Sequence, residues 1–301
     1  MLISKNLSVI RILKYTWQTD LIFLITCTGL YGVDCYFLED YFRIPASLPT
    51  IIGTALAFFI GFNNNQAYDR WWEARKIWGG LVNDSRSWAR SLVCYGTTDC
   101  QPTISEIQKR MIRRHIGFIY TLKTVLRSED INECNRFIPE EDLDLISRHQ
   151  NQSNALLICQ AKDLQKLEKE GYIDNFRFLA LNELIVKFCD EMGKSERIKN
   201  TVFPPSYQYF TKLYIWVLVV LITMIATESV GAYSILFGTL TGFVFHTSFH
   251  VGTLLINPFE PIITGIPLDS ISRTIEINLL EMLDEPNLPK PVSAVNEEYI
   301  M

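Results

Sequence analysis

Two histidines, His246 and His250, stand four residues apart, so on a helix they share one face at a spacing that can hold a metal ion. A metal centre needs further ligands. The other two histidines, His115 and His149, lie far away in the sequence without an HExxH pattern, and the seven cysteines, at 27, 35, 94, 100, 134, 159 and 189, form no CxxC pair. A phosphate-cradling glycine loop, a dinucleotide fingerprint and a GxSxG elbow are absent, and nothing sets up a nucleophile. The histidine pair therefore reads as polar packing between helices, with a membrane-bound metal enzyme as the rival, and no metal or cofactor is expected.

A different set carries a sharper signal. Thr54, Phe58 and Phe62 recur every fourth residue, so they project along one helix face with a drift of about 40° over the set. Gly53, Ala57 and Gly61 border that face with small side chains, and the stripe leads directly into Asn63, Asn64, Asn65 and Gln66. A single such stripe is compatible with ordinary helix packing. Repeated around a symmetry axis, it would form a dewetting constriction that opens into a hydrated vestibule lined by Asn63, Asn65 and Gln66.

The elements that must position these residues are membrane-like. Ile44 to Tyr68 runs 25 residues without a charge, and Ser229 to Phe259 runs 31 when histidine is counted neutral. Runs of that length read as membrane spans, which argues against an ordinary soluble enzyme. Leu213 to Thr227 is shorter, 15 residues between Lys212 and Glu228, with Tyr214 and Trp216 suited to an interface. Leu21 to Val33, 13 residues between Asp20 and Asp34, is shorter still, but it completes an even number of crossings. Tyr233 to Ile256 is rich in Gly, Ser and Thr, as expected where helices pack closely on one another.

Charge sets the orientation. Lys5, Arg11 and Lys14 precede any acidic residue, whereas the loop at 37–48 has Glu39 and Asp40 against Arg43, so the start is expected in the cytoplasm and that loop outside. Met1 to Trp17 lacks a cleavage site and reads as an amphipathic N-terminal helix. Residues 67–208 hold 21 of the 28 Lys and Arg and 20 of the 33 Asp and Glu, while residues 257–301 stand at −6. Neither balance suits nucleic acid. Within the central region, Ala74, Arg75, Trp78, Leu81, Val82, Ser85, Trp88 and Leu92 keep the helical period, and further helices follow from Ile107–Leu126, Leu156–Leu167 and Phe176–Phe188. No convincing strand is found. The expected fold is all-α, with an N-terminal helix and first membrane hairpin in 1–66, a cytoplasmic helical region in 67–208, a second hairpin in 209–256 and a cytoplasmic tail in 257–301.

Gly53 to Gly79, GTALAFFIGFNNNQAYDRWWEARKIWG, resembles the signature of the prokaryotic branch of the bestrophin family. Asn257-Pro258-Phe259, Ile266-Pro267-Leu268-Asp269 and Thr274 to Leu280 are similar to that family's PF, LPL and IExNLL elements, in the same order. The resemblance spans nearly all of residues 5–285.

It implies a homopentameric, multi-pass ion channel of the cell membrane with four spans per subunit and both termini cytoplasmic. Its partners would be copies of itself, lipid and permeant inorganic ions. It also implies a pore lined by the second span, with a hydrophobic neck at Thr54, Phe58 and Phe62. Thr54 departs from the larger aliphatic residue usual there, implying a wider or wetter top ring. Counting from Gly171, a second cytoplasmic aperture falls on Phe176. Animal members carry a calcium clasp in an acidic run after the PF element, where this chain has only Glu260 before Pro261, Ile262, Ile263 and Thr264. One carboxylate cannot supply the six to eight oxygens calcium takes. The family includes both anion and cation channels. Chloride is the expected ion, sodium the alternative, and a non-conducting membrane scaffold the remaining rival.

Overall fold

Apolar periodicity is realised as helix throughout. The computed structural model describes residues 9–38, 44–95, 106–130, 134, 136–295 and 299–300. Among them are nine α-helices: α1 Val9–Val33, α2 Ser47–Tyr95, α3 Glu106–Arg127, α4 Glu140–Ser147, α5 Gln152–Lys169, α6 Asn175–Asn200, α7 Pro205–Val230, α8 Tyr233–Thr253 and α9 Leu268–Glu281. One π-helical turn, Asp34–Leu38, extends α1. The described residues contain no strand, only an isolated antiparallel bridge between Val295 and Tyr299.

The elements differ from the sequence expectation in extent. The described part of the N-terminal segment, from Val9, and the Leu21–Val33 stretch are one helix, α1, within which Thr16 donates to Asp20 at 2.7 Å and gives the interrupting carboxylate a local partner. The helices α4 and α9 were not foreseen as elements. Both are short, and α9 hides its period by burying polar Ser272 and Glu276 alongside Ile271, Ile275 and Leu279.

Two units divide the chain. The first comprises the described residues of Trp71–Thr201 and Asn257–Met301. Its core joins Trp78, Leu81, Trp88 and Leu92 of α2 to Ile116, Phe118 and Ile119 of α3, Leu156 and Leu164 of α5, Leu181 and Phe188 of α6, and Ile275 and Leu279 of α9. The long charged helix α3 is tolerated inside it because its cations are paired. Arg114, 2% exposed, meets Asp163 at 2.5 Å and also Asp142, while Lys123 and Arg127 both reach Asp269, at 2.7 and 2.6 Å. Buried charges survive only with such partners.

The second unit comprises the described residues of Ser4–Arg70 and Val202–Ile256. It gathers α1, the start of α2, α7 and α8 around Phe23, Cys27, Leu56, Ile60, Ile215, Leu218, Val219 and Phe249. The helix α7 begins at Pro205, where a missing N–H costs nothing, and ends at Gly231, whose φ of +57° permits the two-residue turn into α8. Among the described residues, α7 alone is long and apolar enough, by length and composition, to cross a membrane.

Small residues set the close approach of α8. A Cβ on Gly238 would collide with Thr223 Oγ1 and Cys27 Sγ, and one on Gly242 would lie 2.8 Å from the Phe23 ring. Overpacking of this kind costs about 1–3 kcal/mol. Gly238→Ala and Gly242→Ala are therefore expected to lower the thermal stability of the detergent-solubilised protein, read from a melting curve. Gly29→Ala, where a Cβ has open space around it, is expected to leave that curve unchanged.

Candidate functional site

The uncharged first part of α2 has two faces. Leu56, Ile60, Asn63 and Ala67 are buried along one side. Two residues away from Leu56 and Ile60, about 200° round the helix, Thr54, Phe58 and Phe62 face outward, with Phe58 68% and Phe62 52% exposed. The Thr54 hydroxyl donates to the Thr50 carbonyl at 2.8 Å, so it already has an acceptor within the helix. The rings of Phe58 and Phe62 meet edge to face, centroids 4.9 Å apart and planes at 68°. In that arrangement the edge of one ring covers part of the π-face of the other.

The polar segment that follows is split by the same periodicity. Asn65 and Gln66 are exposed on the side of the stripe. Asn63 is not with them. It is 2% exposed, and neither its amide nitrogen nor its carbonyl oxygen has a partner among the described residues. Asn64, which sequence reasoning left without a role, donates to the Ser248 carbonyl of α8 at 2.9 Å and sits where a Cβ on Gly252 would be. Its position four residues after buried Ile60 was the available signal. Four consecutive polar residues thus serve two ends, and Asn63 belongs to packing rather than to the outward surface.

Phe176 lies in the other unit, in the first turn of α6, and is 85% exposed. The turn is fixed by Asp174, whose side chain accepts from the Arg177 N–H at 2.8 Å, and by Arg177, which donates to the Tyr95 carbonyl at 3.0 Å. Leu179 is exposed one turn on. The histidines of α8 stack with each other, ring centroids 6.2 Å apart and planes at 13°, and His246 meets the edge of Phe23. No group of three His, Cys, Asp or Glu able to hold a metal occurs among the described residues.

The segment after Phe259 is a tight turn rather than an acidic cup. Ile266 donates back to the Pro258 carbonyl at 2.8 Å, and a Cβ on Gly265 would strike the Glu260 carbonyl. Glu260 accepts from Asn257 at 2.7 Å, Trp71 donates to the Thr264 carbonyl at 2.8 Å, and Arg127 donates to the Phe259 carbonyl at 3.3 Å. Burial would raise the Asp269 carboxyl, but hydrogen bonds from Lys123 and Arg127 outweigh it and hold the group below its ordinary value. The Asp269 carboxylate is thus already paired with two protein cations.

The architecture is that of a known class of membrane proteins. A bacterial bestrophin homologue from Klebsiella pneumoniae superposes with a TM-score of 0.83 at 20% identity, covering 89% of this chain and 98% of the other. The family profile of bacterial and fungal bestrophin proteins matches residues 7–281, and the chain belongs to that family. Membership makes it a channel-family protein and not an enzyme. Among its relatives, the voltage-dependent anion channel-forming protein RSc3414 of Ralstonia nicotianae is 26% identical over 277 residues, 91% of this chain and 89% of that protein. The voltage-dependent anion channel-forming protein YneE of Escherichia coli K12 is 27% identical over 244 residues, 81% and 78% of the two chains.

The division of α2 into faces is testable by chemical labelling. In a background without native cysteines, Phe62→Cys and Gln66→Cys are expected to react with a water-soluble maleimide in detergent solution. Ile60→Cys and Asn63→Cys are expected to stay unmodified until the protein is denatured. Equal labelling at all four positions would show that the faces are wrongly assigned.

Proposed function

We propose that this chain is one subunit of a homopentameric bestrophin-type channel that passes anions such as chloride across the cell membrane. The observation that carries the reading is the uncharged, outward-facing stripe of Thr54, Phe58 and Phe62 running into exposed Asn65 and Gln66. Five copies around an axis make a narrow apolar sleeve in which an ion loses water without a fixed charge to replace it, and such a sleeve is a barrier tuned by the rings that line it. The naming of the Ralstonia and Escherichia relatives as anion channel-forming proteins supports the choice of anion.

Membrane placement follows from the same unit. The outward faces of α1, α7 and α8 present Ile22, Ile25, Val217, Leu236, Leu240 and Val251, which only lipid or neighbouring copies can cover. In this reading α1, the first part of α2, α7 and α8 are the four spans. Residues 67–208 and 257–301 and both termini lie in the cytoplasm, where Phe176 narrows a second aperture. The domain boundaries at 66, 208 and 256 belong to the same proposal.

Phe58 and Phe62 are exposed within a subunit, so trimming them opens no cavity in its core. The Phe58→Ala, Phe62→Ala double variant is expected to assemble normally on size exclusion and to conduct more than the parent in a planar bilayer under asymmetric salt, with weaker ion preference. The sign of the parent's reversal potential distinguishes chloride from sodium. A well-assembled double variant with unchanged current and selectivity would remove these rings from the permeation path.

The turn after Phe259 offers one exposed carboxylate and a cation-paired Asp269, too few free oxygens for calcium. Currents are accordingly expected to be the same with micromolar calcium and with a chelator. Reversible activation by calcium would contradict this.

A further inference from the structure

The helix α6 lies antiparallel along the second part of α2, and the contacts between them fall in register. Arg197 meets Glu73 at 2.7 Å, Phe188 turns its ring perpendicular to that of Trp88 with centroids 5.9 Å apart, and Arg177 reaches the Tyr95 carbonyl. Between the first two contacts the register places Glu191 against Gly80 and Asp84. A Cβ on Gly80 would lie 2.5 Å from Glu191 Oε1, so only glycine admits the carboxyl this close to the α2 backbone.

Asp84, one turn beyond Gly80 on the same face of α2, leans its side chain back toward Gly80 and so toward the Glu191 carboxyl. Glu191 Oε2 is buried, and no donor meets it among the described residues. Ionised carboxylates only accept, so two of them can bond to each other only when one holds a proton. Burial, and then the Asp84 charge, raise Glu191 to about 8 against the opposing pull of Lys194 and Lys187 on its own helix. From α3 the adjacent group is His115, fully buried, with burial pushing it down to about 3, and bonded to Ser85 Oγ at 2.8 Å. It is neutral and adds no charge to the contact.

We propose that Asp84 and Glu191 share one proton and form a pH-sensitive latch between α2 and α6. With the proton in place, the pair is a hydrogen bond across the helix contact. Loss of that proton to water leaves two negative charges facing each other in a half-buried site, and α6 loosens. The proposal concerns packing within one subunit and stands whether or not the chain conducts.

The direction is fixed by linkage. Because Glu191 is raised from 4.5 to about 8 in the packed state, that state binds one more proton than the loosened one across this window. The latch is tightest at the acid end, weakens as pH rises through the window, and changes no further above about 8. One proton of difference makes opening rise up to about tenfold per pH unit.

Hydrogen–deuterium exchange on the whole detergent-solubilised protein tests this, read on peptides covering α6 and corrected for the intrinsic pH dependence of amide exchange. Between about pH 6 and about pH 8 the opening of α6 is expected to increase at least about tenfold. In E191Q, whose amide keeps the shape without titrating, α6 is expected to stay protected and the trend to be flat. Infrared difference spectra supply the second readout: a protonated carboxyl band present at about pH 7 in the parent and lost in E191Q. The same pH trend in parent and E191Q, or no such band in the parent, would overturn the latch.

Discussion

The helix α2 must satisfy two environments along one unbroken period. Its first part puts Leu56 and Ile60 into one core, and its second part puts Trp78, Leu81, Trp88 and Leu92 into another. Because side chains recur every 3.6 residues, burying one stripe forces the opposite stripe outward. Thr54, Phe58 and Phe62 are therefore exposed by a geometric necessity imposed from the other side of the helix. No charge interrupts either face between Ile44 and Tyr68, so the outward stripe is apolar as well as exposed.

Close packing holds that helix in place. On α8, Gly238, Gly242 and Gly252 each give up the space a side chain would need, to Thr223 and Cys27, to Phe23 and to Asn64 respectively. Where the solvent on the outside is apolar, hydrophobicity does little to pull helices together, and shape and interhelical hydrogen bonds take over. The bond from Asn64 to the Ser248 carbonyl is one such contact, and it fixes the rotation of α2 just where the apolar stripe gives way to Asn65 and Gln66.

The other unit is organised by charge. Arg114 with Asp142 and Asp163, and Lys123 and Arg127 with Asp269, are oppositely charged sets in which every buried ion has a partner. Tyr120 donates to buried Glu276 at 2.6 Å in the same spirit, and burial raises its hydroxyl well above the ordinary tyrosine value. Against that background the approach of Asp84 to Glu191 is the exception, a like-charged pair brought together by a glycine and relieved by a proton.

Much of this was legible in the sequence, for one physical reason: helical period and the absence of charge are local properties. The uncharged runs, the stripe at 54, 58 and 62 and the face from Ala74 to Leu92 follow from spacing, the close packing of Tyr233–Ile256 from its Gly, Ser and Thr content, and the motifs from resemblance to a known family. What it could not decide was which side of a helix finds a partner. Asn63 and Asn65 are the same residue type two positions apart, yet one is buried and the other exposed, because only the position of α8 and the core beneath α2 distinguishes them. The meeting of Asp84 with Glu191 is likewise invisible in sequence. They are separated by α3, α4 and α5, and they come together only because tertiary packing sets α6 antiparallel on α2 in one register.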